Sequence, residues 1–395
     1  MEKGSKGRTG ASPIALSASL SALLLLACLL AALTACASPR VLRDTRDGSR
    51  APKYRVIAYA MGRTDFDRVG AAKLTHINYA FGLVSTNGEA FVRTNAPSHF
   101  AQLQALKARN PNLKIILSIG GWGADNFSDA ALTDASREKF ASSCLAILKR
   151  YALDGIDLDW EYPGQRGPGI KFRAEDKENF TAMLRELRRQ LDALSDERKR
   201  AGADRYTLTI ASAGGTNYFQ HTEMDKLHAY LDWINIMTYD LYGVGTPPGH
   251  HAGLFAPAGV TPRRTTDSDV QDHLKAAIPA HKLVIGAAFY AKSWTNLTTI
   301  EPTITGGKFQ RGFSYSILAR DYLNKNGFQR RWDKAAQSAY LWNPETKTFI
   351  SYEDSESLRA KSRYIKKLHL GGIMYWEHSE DPSETLLDAL TKELH

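Results

Sequence analysis

Cysteine is nearly missing from these 395 residues: Cys28, Cys36 and Cys144 are the three present. Three thiols cannot build a disulfide framework, and they do not supply the paired thiolates of a structural zinc site. There is no dense Lys/Arg run either. Lys plus Arg total 51 against 42 Asp plus Glu, and a net charge of +9 spread over this length is no nucleic-acid footprint. Low-complexity tracts are also lacking, and with 43% hydrophobic and 24% charged residues the chain can bury a large core, which excludes fibrous and disordered classes.

Charge is absent from one long stretch, Arg8 to Arg40, where a basic leader (Lys3, Lys6, Arg8) precedes the apolar run around Leu23-Leu24-Leu25-Leu26. That is how an export signal is built. The run ends Leu33-Thr34-Ala35-Cys36, which resembles the lipobox of bacterial lipoproteins, whose signal is cut before a cysteine that then carries lipid. The expectation is a signal peptide over residues 1–35, lipidation at Cys36, a flexible tether over 36–53, and an exported protein held at a membrane or cell surface. Three alternatives stay open: plain secretion after cleavage near Ala37, an uncleaved anchor, and an earlier lipobox at Leu25-Leu26-Ala27-Cys28. The leader carries +2, so the mature chain keeps +7. Cys144, alone on a helical pattern, reads as a small buried hydrophobe.

From Tyr54 onward eight short apolar runs recur at spacings too long for hairpins and long enough for helices between them. They begin at Tyr54, His76, Leu113, Gly155, Tyr206, Trp233, Leu283 and Gly372. The clearest intervening helix is Lys177 to Leu194, with apolar residues at Phe180, Met183, Leu184, Leu187 and Leu191. Eight such units predict an α/β (β/α)8 barrel whose site lies at the C-terminal ends of the strands. The rhythm breaks between the seventh and eighth runs, where a hairpin-like stretch from Tyr340 to Ile350 points to a small α+β insertion. The predicted division is a barrel over 54–292 and 359–395, with the insertion over 293–358.

The chemistry concentrates in Asp154-Gly155-Ile156-Asp157-Leu158-Asp159-Trp160-Glu161. Alternation along a strand puts Asp157, Asp159 and Glu161 on one face and Ile156, Leu158 and Trp160 on the other. Three carboxylates facing the barrel interior cannot all be charged without penalty, so at least one pKa must rise and the group titrates as a set. An acidic solvent edge would need only the Ile/Leu/Trp side to be buried, and metal binding lacks a histidine in the motif. Asp154 has the opposite parity and reads as support. Adjacent histidines at Gly249-His250-His251 seldom converge on one ion, so no metal and no cofactor are expected.

This segment resembles the Asp-x-x-Asp-x-Asp-x-Glu signature of glycoside hydrolase family 18, the chitinase family, complete at all four acidic positions. Three further stretches resemble that family in the right order: Ser118-Ile119-Gly120-Gly121-Trp122, Met237-Thr238-Tyr239-Asp240 and Met374-Tyr375-Trp376-Glu377. The insertion resembles the α+β domain of the deep-cleft subfamily. The resemblance implies retaining hydrolysis of β-1,4-linked N-acetylglucosamine in which the substrate's 2-acetamido group is the nucleophile, outside the two-carboxylate scheme. It implies Glu161 as acid and base, Asp159 as partner of the acetamido N–H, Asp157 as sharer of a proton with Asp159, and Tyr239 as donor to the acetamido carbonyl. Asp240 would contact the distorted sugar. Sugar C–H faces need aromatic platforms, for which Trp376 is the first choice, with Met237, Trp122, Tyr59, Phe81 and Tyr290 as further substrate contacts. One departure stands out: the seventh strand ends Ala288-Phe289-Tyr290-Ala291-Lys292, with Lys292 where the family often has arginine, so the charge remains but the bidentate fork is lost. The partner implied is chitin or a chito-oligosaccharide, with no nucleic acid, and the enzyme is expected to be a monomer. An N-acetylglucosaminidase acting on peptidoglycan or N-glycan cores would share the motif. A non-hydrolytic lectin on the same barrel would be expected to lack Glu161.

Overall fold

A computed structural model describes residues 53–259, 264–300 and 304–395. The expected signal, tether and lipidation site at Cys36 lie outside the described residues. Eight parallel strands form the barrel: β1 (Arg55–Met61), β2 (His76–Val84), β4 (Lys114–Gly120), β5 (Gly155–Asp159), β6 (Thr207–Ser212), β7 (Trp233–Ile236), β8 (Leu283–Ala288) and β14 (Gly372–Trp376). Each corresponds to one predicted run. The sheet closes because β1 pairs on both sides, Arg55 with Gly372 toward β14 and Ile57 with His76 toward β2. A two-residue strand, β3 (Ala90–Phe91), adds antiparallel to the end of β2.

Strand parity decides what faces where. Ile57, Tyr59, Ala80, Trp233, Val284 and Met374 pack together in the interior, while Val56, Ala58, Ile156, Leu158 and Trp160 join the layer between barrel and helices. The helix Asp176–Glu197 lays Phe180, Met183, Leu184, Leu187, Leu191 and Leu194 onto that layer at the three-to-four spacing of one helical face. Trp160 is held there at 5.4 Å from both Phe127 and Phe180, stacked on the first and edge-on to the second. Truncating such a fully packed aromatic costs about 3–5 kcal/mol. Cys144 is buried in the same layer, which pushes its thiol pKa up.

Between β8 and β14 lies a five-stranded antiparallel sheet of β9 (Tyr290–Thr299), β10 (Thr305–Ser314), β11 (Gln329–Asp333), β12 (Ser338–Asn343) and β13 (Thr348–Tyr352), ordered β10-β9-β13-β12-β11. The predicted hairpin is the β12–β13 pair. The first strand of this sheet in chain order, β9, starts at Tyr290, with the single residue Phe289 between it and β8. The return is a buried ion pair: Lys361, on the helix Ser355–Leu368, binds Glu353 and donates to the Gly286 carbonyl at 3.1 Å. The insertion is thus clamped to β8, the strand it departs from.

Candidate active site

β5 delivers its acids as alternation requires. Asp157 and Asp159 are buried in the barrel interior, and Glu161 stands at the rim just beyond the end of the strand. Register, not sequence proximity, builds the cradle around Asp157. One carboxylate oxygen accepts from Tyr59 Oη at 2.8 Å and Ser118 Oγ at 2.7 Å, the other from Thr209 Oγ1 at 2.6 Å and Asn235 Nδ2 at 3.2 Å. Burial still lifts the Asp157 pKa above the usual range, and these four donors pull against it.

Asp159 is the opposite case. Its Oδ1 is buried without a partner, and burial plus the charges of Glu161 and Asp157 drives its pKa far up. A carboxyl without donors and with acids on both sides holds a proton more firmly than one with four donors. Both carboxyls are pushed up, Asp159 the further, so a proton shared by the pair favours Asp159. Glu161 is pushed up to about 7, first by burial and then by the charge of Asp240, while a hydrogen bond from Tyr162 opposes the shift. Tyr239 is raised well above a normal phenol by burial and by Asp159 and Glu161, which keeps its hydroxyl a neutral donor. In this structure that hydroxyl faces Met374 Sδ at 3.8 Å.

These groups line one open cleft of about 1250 Å³ at the C-terminal mouth of the barrel. Tyr59, Phe81, Trp122, Asp159, Glu161, Met237, Tyr239, Asp240, Tyr290 and Trp376 all border it, and Asp157 lies beneath. Of the expected site residues only Cys36 falls outside the described chain. Trp376 stacks on Phe81 at 5.5 Å and 20° and meets Tyr59 at 5.7 Å, giving a flat aromatic floor below the acids. Trp122 is 68% exposed on the rim, edge-on to Tyr162. The insertion supplies the opposite wall through Tyr290, Gly312 and Phe313. Asp240 is tied to that wall by Tyr290 Oη at 2.6 Å and Lys292 Nζ at 2.5 Å, so the lysine makes the one-point contact its ammonium allows.

Tyr162 and Arg264 are among the cleft residues that escaped the sequence reading. Tyr162 follows Glu161 directly, but strand alternation would have turned it outward; the strand ends at Asp159, and the chain bends Tyr162 into the cleft. Arg264 is a lone cation in a loop, fixed by two bonds to buried Asp269 at 2.9 and 2.7 Å, and no motif marks it. The histidine pair diverges: His250 binds Asp333 at 3.0 Å, whereas both ring nitrogens of buried His251 lack a hydrogen-bond partner. Asp154 is support as expected, bound to Lys107, Arg200 and the Ile115 amide.

The chemistry available is that of a buried acid poised near neutrality, a neutral phenol donor and a polar pocket over an aromatic floor. Residues 54–381 match the sequence model of Glycosyl hydrolases family 18. Chitinase A1 of Niallia circulans is 37% identical over 418 aligned residues, which cover 87% of this chain and 59% of that protein. Chitinase B of Serratia marcescens is 32% identical over 79% of this chain and 74% of its own length. Among solved structures, a glycoside hydrolase family 18 N-acetylglucosaminidase from Paenibacillus barengoltzii superposes with a TM-score of 0.80 at 39% identity, covering 86% of this chain and all of that one.

Proposed function

The chain belongs to glycosyl hydrolases family 18, and from that premise we propose that it is a chitinase that cleaves β-1,4 bonds between N-acetylglucosamine units with Glu161 as acid and base. The observation that carries this reading is the graded set of acids on and just beyond β5, with a saturated Asp157, an Asp159 that favours its proton and a Glu161 poised at about 7.

In the first step the protonated Glu161 gives its proton to the glycosidic oxygen. The bond from that oxygen to the anomeric carbon breaks as the acetamido carbonyl oxygen of the same sugar bonds to the carbon, giving a cyclic oxazolinium ion. Tyr239 orients that carbonyl by donating a hydrogen bond. As positive charge develops beside it, the proton Asp159 shares with Asp157 passes to Asp157, and the Asp159 carboxylate accepts from the acetamido N–H and stabilises the ion in a low-dielectric pocket. In the second step Glu161, now a carboxylate, takes a proton from water as the water oxygen bonds to the anomeric carbon, and the oxazolinium opens to regenerate the acetamide. Two inversions leave the configuration retained. Trp376 carries the apolar face of the reacting sugar, with Tyr59 and Phe81 beside it. Asp240 holds the distorted ring, and Met237, Trp122 and Tyr290 complete the contacts.

The division into a signal over 1–35, a tether over 36–53, a barrel over 54–292 and 359–395 and an insertion over 293–358 belongs to the same proposal. So do lipidation at Cys36, attachment of the exported enzyme to a membrane, and a monomeric working state. The lipobox-like Leu33-Thr34-Ala35-Cys36 after an uncharged apolar run supports the anchor. A second reading, an N-acetylglucosaminidase acting on cell-wall or glycan substrates, is favoured by the name of the Paenibacillus barengoltzii enzyme and shares every step above.

The test uses the fragment starting at Ser38, incubated with N-acetylglucosamine oligomers and with peptidoglycan, beside Glu161→Gln. Cleavage of the oligomers with retained configuration, lost in the variant, is the expected result. Cleavage of peptidoglycan alone transfers the assignment to cell-wall turnover, and binding without cleavage by both proteins overturns the enzymatic reading.

A further inference from the structure

The barrel face opposite the cleft is strongly basic. In a closed parallel barrel, each stretch that enters a strand lies on that face. Here those stretches are residues 53–55, 68–75, 105–114, 149–154, 198–206, 226–232, 275–282 and 366–371, and together they hold eighteen Lys or Arg against three Asp and no Glu. They thus contain about a third of the chain's basic residues and very few of its acids. Helix C-termini on the same side attract cations, but a dipole end is worth about half a charge, too little to absorb this surplus.

The surplus is cancelled only in part: eight of the eighteen, Lys73, Lys107, Arg200 and Arg205 among them, form ion pairs, most with acids just outside these stretches, and among the described residues the other ten form none. Arg55 donates to the His281 carbonyl at 3.3 Å, Arg109 to the Val69 carbonyl at 2.9 Å and Lys282 to the Leu231 carbonyl at 2.7 Å. These bonds stitch neighbouring approaches into one surface, and because carbonyls are neutral they leave the charge in place. Lys53, Lys149, Lys199, Lys366 and Lys367 are exposed, and among the described residues none of them forms an ion pair. The chain also enters the barrel here, since Lys53 and Tyr54 lead directly into β1.

We propose that this basic face is a docking surface for an anionic lipid head-group layer, which holds the barrel with its cleft turned away from the membrane. A lipid surface is favoured over another polyanion because the proposed anchor at Cys36 joins the folded unit on this same side, through a tether of fewer than twenty residues. The orientation rests on that anchor; the lipid affinity does not. Lipid attraction through several lysines falls with salt, since exposed charges are screened within about 8 Å at physiological ionic strength.

The experiment uses the fragment from Ser38, which lacks Cys36 and carries the whole described unit. It is co-sedimented with phosphatidylcholine vesicles with and without phosphatidylglycerol, at low and physiological salt. Binding to the phosphatidylglycerol vesicles alone, weakened by salt, is expected. The triple variant Lys199→Gln, Lys366→Gln and Lys367→Gln binds about a hundredfold more weakly, at roughly fivefold per lysine, while its hydrolysis of soluble oligomers is unchanged. Equal binding to neutral vesicles, no binding, an unaltered triple variant, or equally tight capture by duplex DNA overturns the proposal. Mass analysis of the full-length chain separates it from the anchor: an unlipidated Cys36 with vesicle binding intact removes the anchor alone, and a lipidated Cys36 with an indifferent fragment removes the surface.

Discussion

The acid step makes the pH profile of kcat/KM the most informative readout of the site. Glu161 must be protonated to act as acid, and burial pushes its pKa up to about 7. The acid form is therefore complete well below pH 7 and is lost as pH rises through it, so kcat/KM falls about tenfold per unit on the basic limb. Two neighbours act on that pKa with opposite sign. Tyr162 donates to Glu161 and stabilises its charged form, so Tyr162→Phe raises the pKa and moves the limb to higher pH. A hydrogen bond to a charged group contributes about 1.5–3 kcal/mol when buried, and with the partial exposure of this rim the shift should be about one unit at roughly 1.4 kcal/mol per unit. Asp240 disfavours the charged form, so Asp240→Asn lowers the pKa and moves the limb down. That shift is smaller, less than about one unit, because Lys292 at 2.5 Å already offsets much of the Asp240 charge. The assay is kcat/KM on a soluble N-acetylglucosamine oligomer between pH 4 and 9, wild type against both variants. Limbs that move in the same direction, or a Tyr162→Phe limb that stays in place, refute the assignment of Glu161 as the titrating acid.

Further outcomes follow from other contacts. Asp157→Asn replaces an acceptor of four hydrogen bonds by an amide that offers donors to donors, and should cost about 1–3 kcal/mol in stability, read by urea unfolding, with a larger loss in kcat. Tyr239→Phe keeps the packing against Met374 but removes the donor, so kcat should fall about 10²–10³-fold, measured on oligomers at saturating concentration. Lys361→Met leaves Glu353 buried and unpaired, and thermal unfolding should report a loss of about 3–5 kcal/mol. Trp376→Ala removes the ring stacked on Phe81 and should raise KM with little change in kcat, because the platform serves ground state and transition state alike.

What could be seen in the sequence was whatever repeats at fixed spacing. All eight strands were visible as apolar runs, and the alternation of Asp157, Asp159 and Glu161 gave their shared face, because both follow from the period of a strand. The cradle of Asp157 could not be seen that way. Tyr59, Ser118, Thr209 and Asn235 sit on β1, β4, β6 and β7, and barrel closure alone brings them to one carboxylate. The unequal fates of Asp157 and Asp159 follow from that cradle, so the sequence yields a coupled set without saying which member holds the proton. Tyr162 was hidden by the end of a strand, and Arg264 by a loop whose position depends on Asp269.

The central claim is that the substrate's own acetamido group attacks the anomeric carbon, and one digestion tests it directly. Partially deacetylated chitosan offers both N-acetylglucosamine and glucosamine at every bond, and mass spectrometry identifies the sugar at each new reducing end. Reducing ends that are all N-acetylglucosamine, in a reaction abolished by Glu161→Gln, are what the account predicts. Glucosamine at new reducing ends in proportion to its abundance would contradict it.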